Sequence, residues 1–299
     1  MNLRQLEYFV AIVEQGSFTR AAERLLVSQP SLSQQVSALE RELGGALLER
    51  LPRGVRLTAA GQSLLGEARA TLVHADRGRR SVRMALELEA GHLEVAVTTS
   101  AAAGILPIVL RDWQQRHPGI EVGLLEFPHR RALDEAARDG AGDVAVGSLP
   151  ESWPGQVRRL GWEEFVVVLP DGDPLLERSS VPLGRLADRR WVHFARAHGL
   201  AEVVDVCCEA AGFSPRVAVR TSQVAAAPLF AAAGLGPALV PEHIVPAALT
   251  RLARPASPRL TRAVCAFTRA EWTSLTRAFL DTLLSYPWGP KPRAAVDLA

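Results

Sequence analysis

The stretch Phe18-Thr-Arg-Ala-Ala-Glu-Arg-Leu-Leu-Val-Ser-Gln-Pro-Ser-Leu-Ser-Gln-Gln-Val-Ser-Ala-Leu-Glu40 carries two short helical patterns joined by a tight turn. Ser17 stands where it can cap the first helix, and Ala21, Ala22 and Leu25 give that helix a small apolar face for close packing. Ser28 is placed to cap the second, with Pro30 in its first turn, where a missing N–H does no harm. Leu32, Val36, Leu39 and Leu43 recur every three or four residues and predict one buried stripe. The outward face presents Gln29, Ser33, Gln34 and Ser37. Such short or planar hydrogen-bonding groups suit base edges in a major groove, whereas a merely solvated helix more often carries Glu and Lys. Gly44-Gly45 ends the helix, and residues 47–50 and 55–57 flank a Pro52-Arg53-Gly54 turn, which predicts a small hairpin or wing. The expected DNA contacts are Ser28, Gln29, Pro30, Ser31, Ser33, Gln34 and Ser37 on the helix, with Arg50 and Arg53 from the wing.

Residues 1 to about 60 resemble the winged helix-turn-helix of the LysR-type transcriptional regulators. The resemblance rests on Leu3-Arg-Gln-Leu-Glu-Tyr-Phe9, Gly16-Ser-Phe-Thr-Arg-Ala-Ala-Glu-Arg-Leu25, Val27-Ser-Gln-Pro-Ser-Leu-Ser33, Leu39-Glu-Arg-Glu-Leu-Gly44 and Leu57-Thr-Ala-Ala-Gly61. One departure is Gln34, where the family often has Arg or Lys.

The 299 residues, 48% hydrophobic and 22% charged, have the composition of a globular chain of two or three units. No apolar run approaches the roughly twenty residues of a membrane span, and the N-terminus is an amphipathic helix without a signal-peptide core, so a cytoplasmic, non-membrane protein is expected. Cys207, Cys208 and Cys265 are too few for a disulfide scaffold and fit a reducing compartment. The net charge is +2, and within residues 1–60 seven Arg face six Glu, so bulk electrostatics does not identify a DNA binder. Affinity then depends on where the arginines sit and on doubling the domain, which predicts a homodimer or homotetramer.

Thr58 is a natural N-cap for a helix over 59–89, about 45 Å long at 1.5 Å per residue. Leu64, Ala68, Leu72, Ala75 and Val82 follow a coiled-coil-like seam within it. Such a stripe suits either pairing with a second chain or burial on its own domain; the family resemblance implies pairing. After Gly91-His92, strand and helix patterns alternate: strands at 93–98, 120–125 and 143–146, helices at 106–117 and 130–139. The order repeats with strands at 164–169, 191–194, 217–220 and 238–240 and helices at 200–211 and 223–233. A strand at 263–267 and a helix at 272–285 return to the first lobe, and a largely parallel sheet is expected.

Leu106-Pro107, Trp113 with His117-Pro118-Gly119, Asp143-Val-Ala-Val146, Ala211-Gly-Phe213 and Gly234-Leu-Gly-Pro-Ala-Leu-Val-Pro241 extend the resemblance to the family's regulatory domain. The fold class is therefore α/β: an N-terminal winged helix-turn-helix, a long linker helix, and a two-lobed α/β periplasmic-binding-protein-like effector domain. The expected division is 1–58 for DNA binding, 59–90 for the dimerising linker helix, and 91–299 for the effector domain. Within the last, lobe I is 91–161 and 265–288, lobe II is 162–264, and 289–299 is a frayed tail.

Open α/β sheets bind ligands at the carboxyl ends of their strands. The candidates there are Thr98, Thr99, Ser100, Phe127 and His129 in the first lobe and Phe194, Arg196, Thr221 and Ser222 in the second. The hydroxyls suit either capping of the next helix or a small organic effector, more readily an anion; the family places its effector at matching positions, Thr98, Ser100 and Thr221 among them. There is no Gly-x-Ser-x-Gly elbow, no phosphate loop with Lys, and no His, Cys and carboxylate set at metal-ligand spacing, so no catalytic residue, metal or cofactor is expected. The resemblance implies a regulator that binds double-stranded promoter DNA under control of an effector between the lobes and alters access of RNA polymerase. The alternative is a thiol-based redox-responsive regulator of the same fold, using Cys207, Cys208 or Cys265.

Overall fold

The computed structural model describes residues 1–51, 54–86, 91–292 and 295–298; the side chains of 77 and 80–86 lie outside the description. The chain divides into two compact units, Met1–Leu88 with Arg138–Ala141, and Glu89–Ala137 with Gly142–Ala299.

The first unit holds α1 (Leu3–Gln15), α2 (Phe18–Arg24), α3 (Gln29–Leu43), the hairpin β1 (Leu48–Leu51) and β2 (Gly54–Leu57), and α4 (Ala59–Leu86). Every helix start in it is held by a side chain. Asn2 and Gln5 form a reciprocal capping box on α1, Ser17 accepts from Arg20 N, Ser28 from Ser31 N, and Thr58 from Gly61 N. Gly16 and Gly44 end α1 and α3 in the left-handed conformation, at φ 59° and 76°. Leu6, Phe9 and Ile12 of α1, Ala21 and Ala22 of α2, and Leu32, Val36 and Leu39 of α3 form the core. Leu43, expected to extend that stripe, is instead 46% exposed in the last turn of α3. Gly61 lets α4 start against the wing: a Cβ there would lie 2.1 Å from the Leu47 carbonyl oxygen. Pro52 and Arg53, expected in the turn of the wing, lie outside the described residues.

The second unit runs β3 (Gly91–Thr98), α5 (Thr99–Gly104), α6 (Leu106–Arg116), β4 (Ile120–Phe127), α7 (Arg130–Arg138), β5 (Val144–Ser148) and β6 (Gln156–Val168). It continues with β7 (Val181–Pro182), β8 (Arg190–Phe194), α8 (Gly199–Ala210), β9 (Arg216–Thr221), α9 (Ala226–Phe230), β10 (Ala238–Pro241), β11 (Ala253–Thr268), α10 (Ser274–Ser285) and β12 (Val296–Asp297). The main sheet has the order β10-β6-β11-β5-β3-β4, and β8 and β9 pair separately. The parallel pairings are β3 with β4, β3 with β5, β8 with β9, and the short contacts of β11 with β7 and with β12. The expectation of a largely parallel sheet is corrected at its centre, where β6 and β11 run antiparallel to each other and β11 also pairs antiparallel with β5.

These two strands are also longer than the sequence pattern predicts, 13 and 16 residues, and each is continuous across the expected lobe boundaries. The reason is that a strand serving two cores in succession changes its buried face at a bulge. The register shift between Val264 and Cys265, opposite Gly161 and Arg159, breaks the period-two pattern. Trp113, Phe279 and Leu283 pack with Leu93, Val95 and Val97 in one core, and Phe165, Trp191 and Phe194 with Cys208 and Val240 in the other. The tail is a second correction. β12 pairs with β11 at Leu260 and Thr261, Thr261 donates to Asp297 at 3.1 Å, and Leu298 packs on the second core. Hydrogen-bonding capacity along the β11 edge holds a segment whose composition alone suggests fraying.

Candidate nucleic-acid interface and ligand cleft

Helix α3 places its candidate residues in two sets. Pro30, Ser31 and Gln34 are exposed and Gln29 and Ser37 half-buried, so these reach outward from the helix. Ser28 is committed to its cap, and Ser33 accepts from Arg50 Nη2 at 2.6 Å. The Arg50 guanidinium also lies over the Phe18 ring, 4.4 Å from its centroid. Arg50 thus ties the wing to both helices of the motif. Glu40 was missed by pattern reading: its carboxylate accepts from Leu47 N at 2.9 Å and Leu48 N at 3.2 Å and so fixes where the wing begins. Only its place one turn before a Gly-Gly break hints at that role.

On α4 the expected pairing seam is corrected at Ala68. That residue is 1% exposed within its own chain, packed in the helix-turn-helix core, and Leu64 and Leu72 lie partly buried against the same cluster. A 3.6-residue apolar stripe requires an apolar neighbour and does not say which chain supplies it. Further along, Leu72, Ala75 and Arg79 face Leu3, Tyr8 and Gln35 across an open groove of about 1080 Å³. The side chain of Val82 lies outside the described residues.

In the second unit, α5 follows directly on β3, so Thr98 occupies the N-cap position, though without a capping hydrogen bond, and Ser100 is buried. The Thr99 hydroxyl meets His198 Nε2 at 3.0 Å, across from the first lobe to the second. His198 Nδ1 accepts from Leu200 N at 3.1 Å to cap α8. That bond assigns the ring proton to Nε2, so the imidazole donates to Thr99. Burial, with added repulsion from His129 and Arg262, holds the His198 pKa below the usual histidine range and keeps the ring neutral. A second bond between the lobes runs from Gly199 N to Pro128 O at 2.9 Å. Glycine is needed there, since a Cβ would lie 2.9 Å from the His129 Cβ.

Of the other expected cleft residues, His129 caps α7 by accepting from Ala132 N at 3.0 Å. Thr221 accepts from Gln223 N at 3.0 Å and stands beside Phe194 at the ends of β9 and β8. Phe127 is half-buried, and Arg196 and Ser222 are exposed. Phe194 is corrected: at 1% exposure it belongs to the second core and stacks on His198 at 5.2 Å, so it supports the cleft without lining an apolar cavity. His198 carries no local sequence signal of this role, which comes from a helix start brought against another lobe.

Beneath the cleft, the two crossover strands carry a buried charge cluster. Glu163 of β6 and Arg262 of β11 are register neighbours joined at 2.5 Å, and the same carboxylate meets His243 Nε2 at 2.6 Å. Burial alone would raise the Glu163 pKa; the Arg262 charge and the hydrogen bonds and charge of His243 outweigh it and leave it at about 2. Gly104 admits His243 to the end of α5, where a Cβ would lie 2.1 Å from His243 Nδ1. The three cysteines are buried, and burial pushes the thiols up, Cys207 and Cys265 to about 11 and Cys208 to about 12. Among the described residues no helix is long and apolar enough to cross a membrane, and no three His, Cys or carboxylate side chains gather as a metal site.

Residues 3–62 match the bacterial regulatory helix-turn-helix protein, lysR family, and residues 86–287 match the LysR substrate binding domain. The chain is 36% identical over 249 residues to the HTH-type transcriptional regulator BudR of Raoultella terrigena, covering 82% of this chain and 86% of that one. Among solved structures it is similar to full-length OxyR from Pseudomonas aeruginosa, with TM-score 0.70, 26% identity and 96% of each chain covered. It is also similar to CbnR, a LysR family transcriptional regulator, with TM-score 0.68, 26% identity and 95% and 98% covered; CbnR has been solved with its target DNA as well. With a winged helix-turn-helix followed by a two-lobed α/β effector-binding domain, the chain belongs to the LysR family of DNA-binding transcriptional regulators.

Proposed function

We propose that this regulator reads promoter DNA with Gln29, Pro30, Ser31, Gln34 and Ser37 of α3 while the wing meets the phosphate backbone, and that a small organic anion in the cleft between the lobes controls that binding. Two copies, paired through α4, would place two α3 helices on successive half-sites, as suits a family whose member CbnR is known with its target DNA. The bound protein then acts on the access of RNA polymerase, in the cytoplasm, by binding alone. The observation that carries the effector reading is the pair of hydrogen bonds between lobes, Thr99 to His198 and Gly199 to Pro128. A ligand accepting from the His198 Nε2–H or from Thr99 competes with the first of these, and so biases the lobe arrangement. Thiol chemistry fits less well, because the thiolate is the reactive form and burial keeps all three thiols protonated near neutral pH.

For the DNA face, Gln29→Ala costs about 1–3 kcal/mol at the cognate site and relaxes specificity there, because a bidentate amide-to-adenine pair is lost. Equal losses on cognate and random DNA in a binding titration would assign Gln29 to the backbone instead. For the cleft, a panel of small organic acids screened by thermal shift yields a stabilising ligand. The double substitution Thr99→Val with Ser100→Ala weakens that ligand by about tenfold to a hundredfold. DNA affinity without ligand stays near normal, since α3 and its core belong to the other unit. Unchanged ligand affinity in the double variant would place the effector elsewhere.

A further inference from the structure

Where β6 and β11 pass from one lobe to the other, the chain after α10 folds back over β6. Tyr286 and Trp288 stand with ring centroids 4.6 Å apart and planes at 57°, and Trp162 pairs with Gly289 beside them. Gly161 makes this possible: a Cβ at that position would lie 2.5 Å from the Cβ and ring of Trp288. The three rings and the carboxylates of Glu163, Glu164 and Glu242 wall a cavity of about 330 Å³. Glu163 and Glu164 are engaged by Arg262 and Arg259. The Glu242 carboxylate is exposed at the rim and makes no direct side-chain hydrogen bond or ion pair among the described residues, though it acts on Arg259 through its charge.

The walls already receive a cation. The Lys291 ammonium, tethered to Asp297 at 2.6 Å, lies over the Trp162 ring 4.4 Å from its centroid. Burial and the nearby Glu242 and Glu163 carboxylates raise the Tyr286 hydroxyl above its usual range, so the negative field extends to that wall. An anion would face carboxylates here, and a neutral guest would leave Glu242 only the charge of Arg259, which Glu164 already pairs.

We propose that this cavity binds a small organic ammonium ion, its charge resting on the faces of Trp162, Tyr286 and Trp288 and balanced by Glu242. A weakly hydrated alkylammonium group gains most from such ring faces, because it gives up little water to reach them. The site is separate from the cleft of Thr99 and His198, and Lys291 competes for one of its walls. Ligand binding therefore opposes docking of the tail that pairs with β11.

The test is calorimetric titration of the full-length protein with choline and with 3,3-dimethyl-1-butanol, which replaces the charged nitrogen by carbon. Choline binds saturably and at least about fivefold tighter than the alcohol. Glu242→Gln, an exposed position that leaves the fold intact, and Trp162→Leu each weaken choline to a similar degree. Lys291→Ala tightens it by removing the nearer of two cations over the Trp162 ring, Arg159 lying 5.6 Å from the same centroid, a gain that a merely structural lysine would not produce. Equal affinity for choline and its uncharged analogue overturns the proposal. So does choline binding indifferent to Glu242→Gln, or the lack of saturable binding in both the native and Lys291→Ala proteins.

Discussion

Glu163→Ala lowers the stability of the effector unit by about 3–5 kcal/mol, because it leaves Arg262 buried with its charge uncompensated. Urea unfolding followed by tryptophan fluorescence reads this directly. A loss below about 1 kcal/mol would mean that water reaches the cluster and replaces the carboxylate. The companion variant Glu163→Gln with Arg262→Met recovers most of the loss, since the desolvation cost of both charges is removed together. The pH dependence has a definite sign. The Glu163 pKa is held at about 2 in the folded protein, against 4.5 as its ordinary value. Its contribution is therefore complete above about pH 4.5 and is lost as the pH falls towards 2. Acid unfolding of the native protein shows that loss, and Glu163→Gln flattens the profile in this window.

Ala75→Asp gives a folded monomer whose affinity for a two-half-site operator is lower by about two to four orders of magnitude, because the second recognition helix no longer acts at high effective concentration. Ala75 lines the groove with Leu3, Tyr8 and Leu72 and with Arg4 and Arg79, where the new carboxylate is hydrated or paired in a single chain but adds bulk and buried charge at a small-residue contact when a second chain covers it. Ala75 is a sharper probe than Leu72, which packs partly on the helix-turn-helix core and whose loss would mix folding with assembly. Light scattering that shows an intact dimer, with normal circular dichroism, would move the pairing surface off this face.

The comparison between Ala68 and Ala75 marks how far pattern reading carried along α4. Both fall on one predicted seam, yet one is spent inside the chain and the other lines an open groove. The seam's period is a property of local geometry, and its partner is a property of packing. The same holds at the wing. Arg50 was legible as a basic residue near the recognition helix, while its bond to Ser33 and its seat on Phe18 depend on three elements converging.

By itself the sequence determined the elements whose signals are local. The caps Ser17, Ser28 and Thr58, the Gly44 stop, the α3 stripe of Leu32, Val36 and Leu39, and the order of strands and helices in the second unit all act within a few residues. Only the tertiary structure decided how β6 and β11 run through both lobes. It alone joined Thr99 to His198 over 99 positions and Glu163 to Arg262 over 99, and docked the tail on β11. Those contacts hold because burial makes an unpaired charge or donor costly, and the chain's path, not its local pattern, settles which distant group satisfies it.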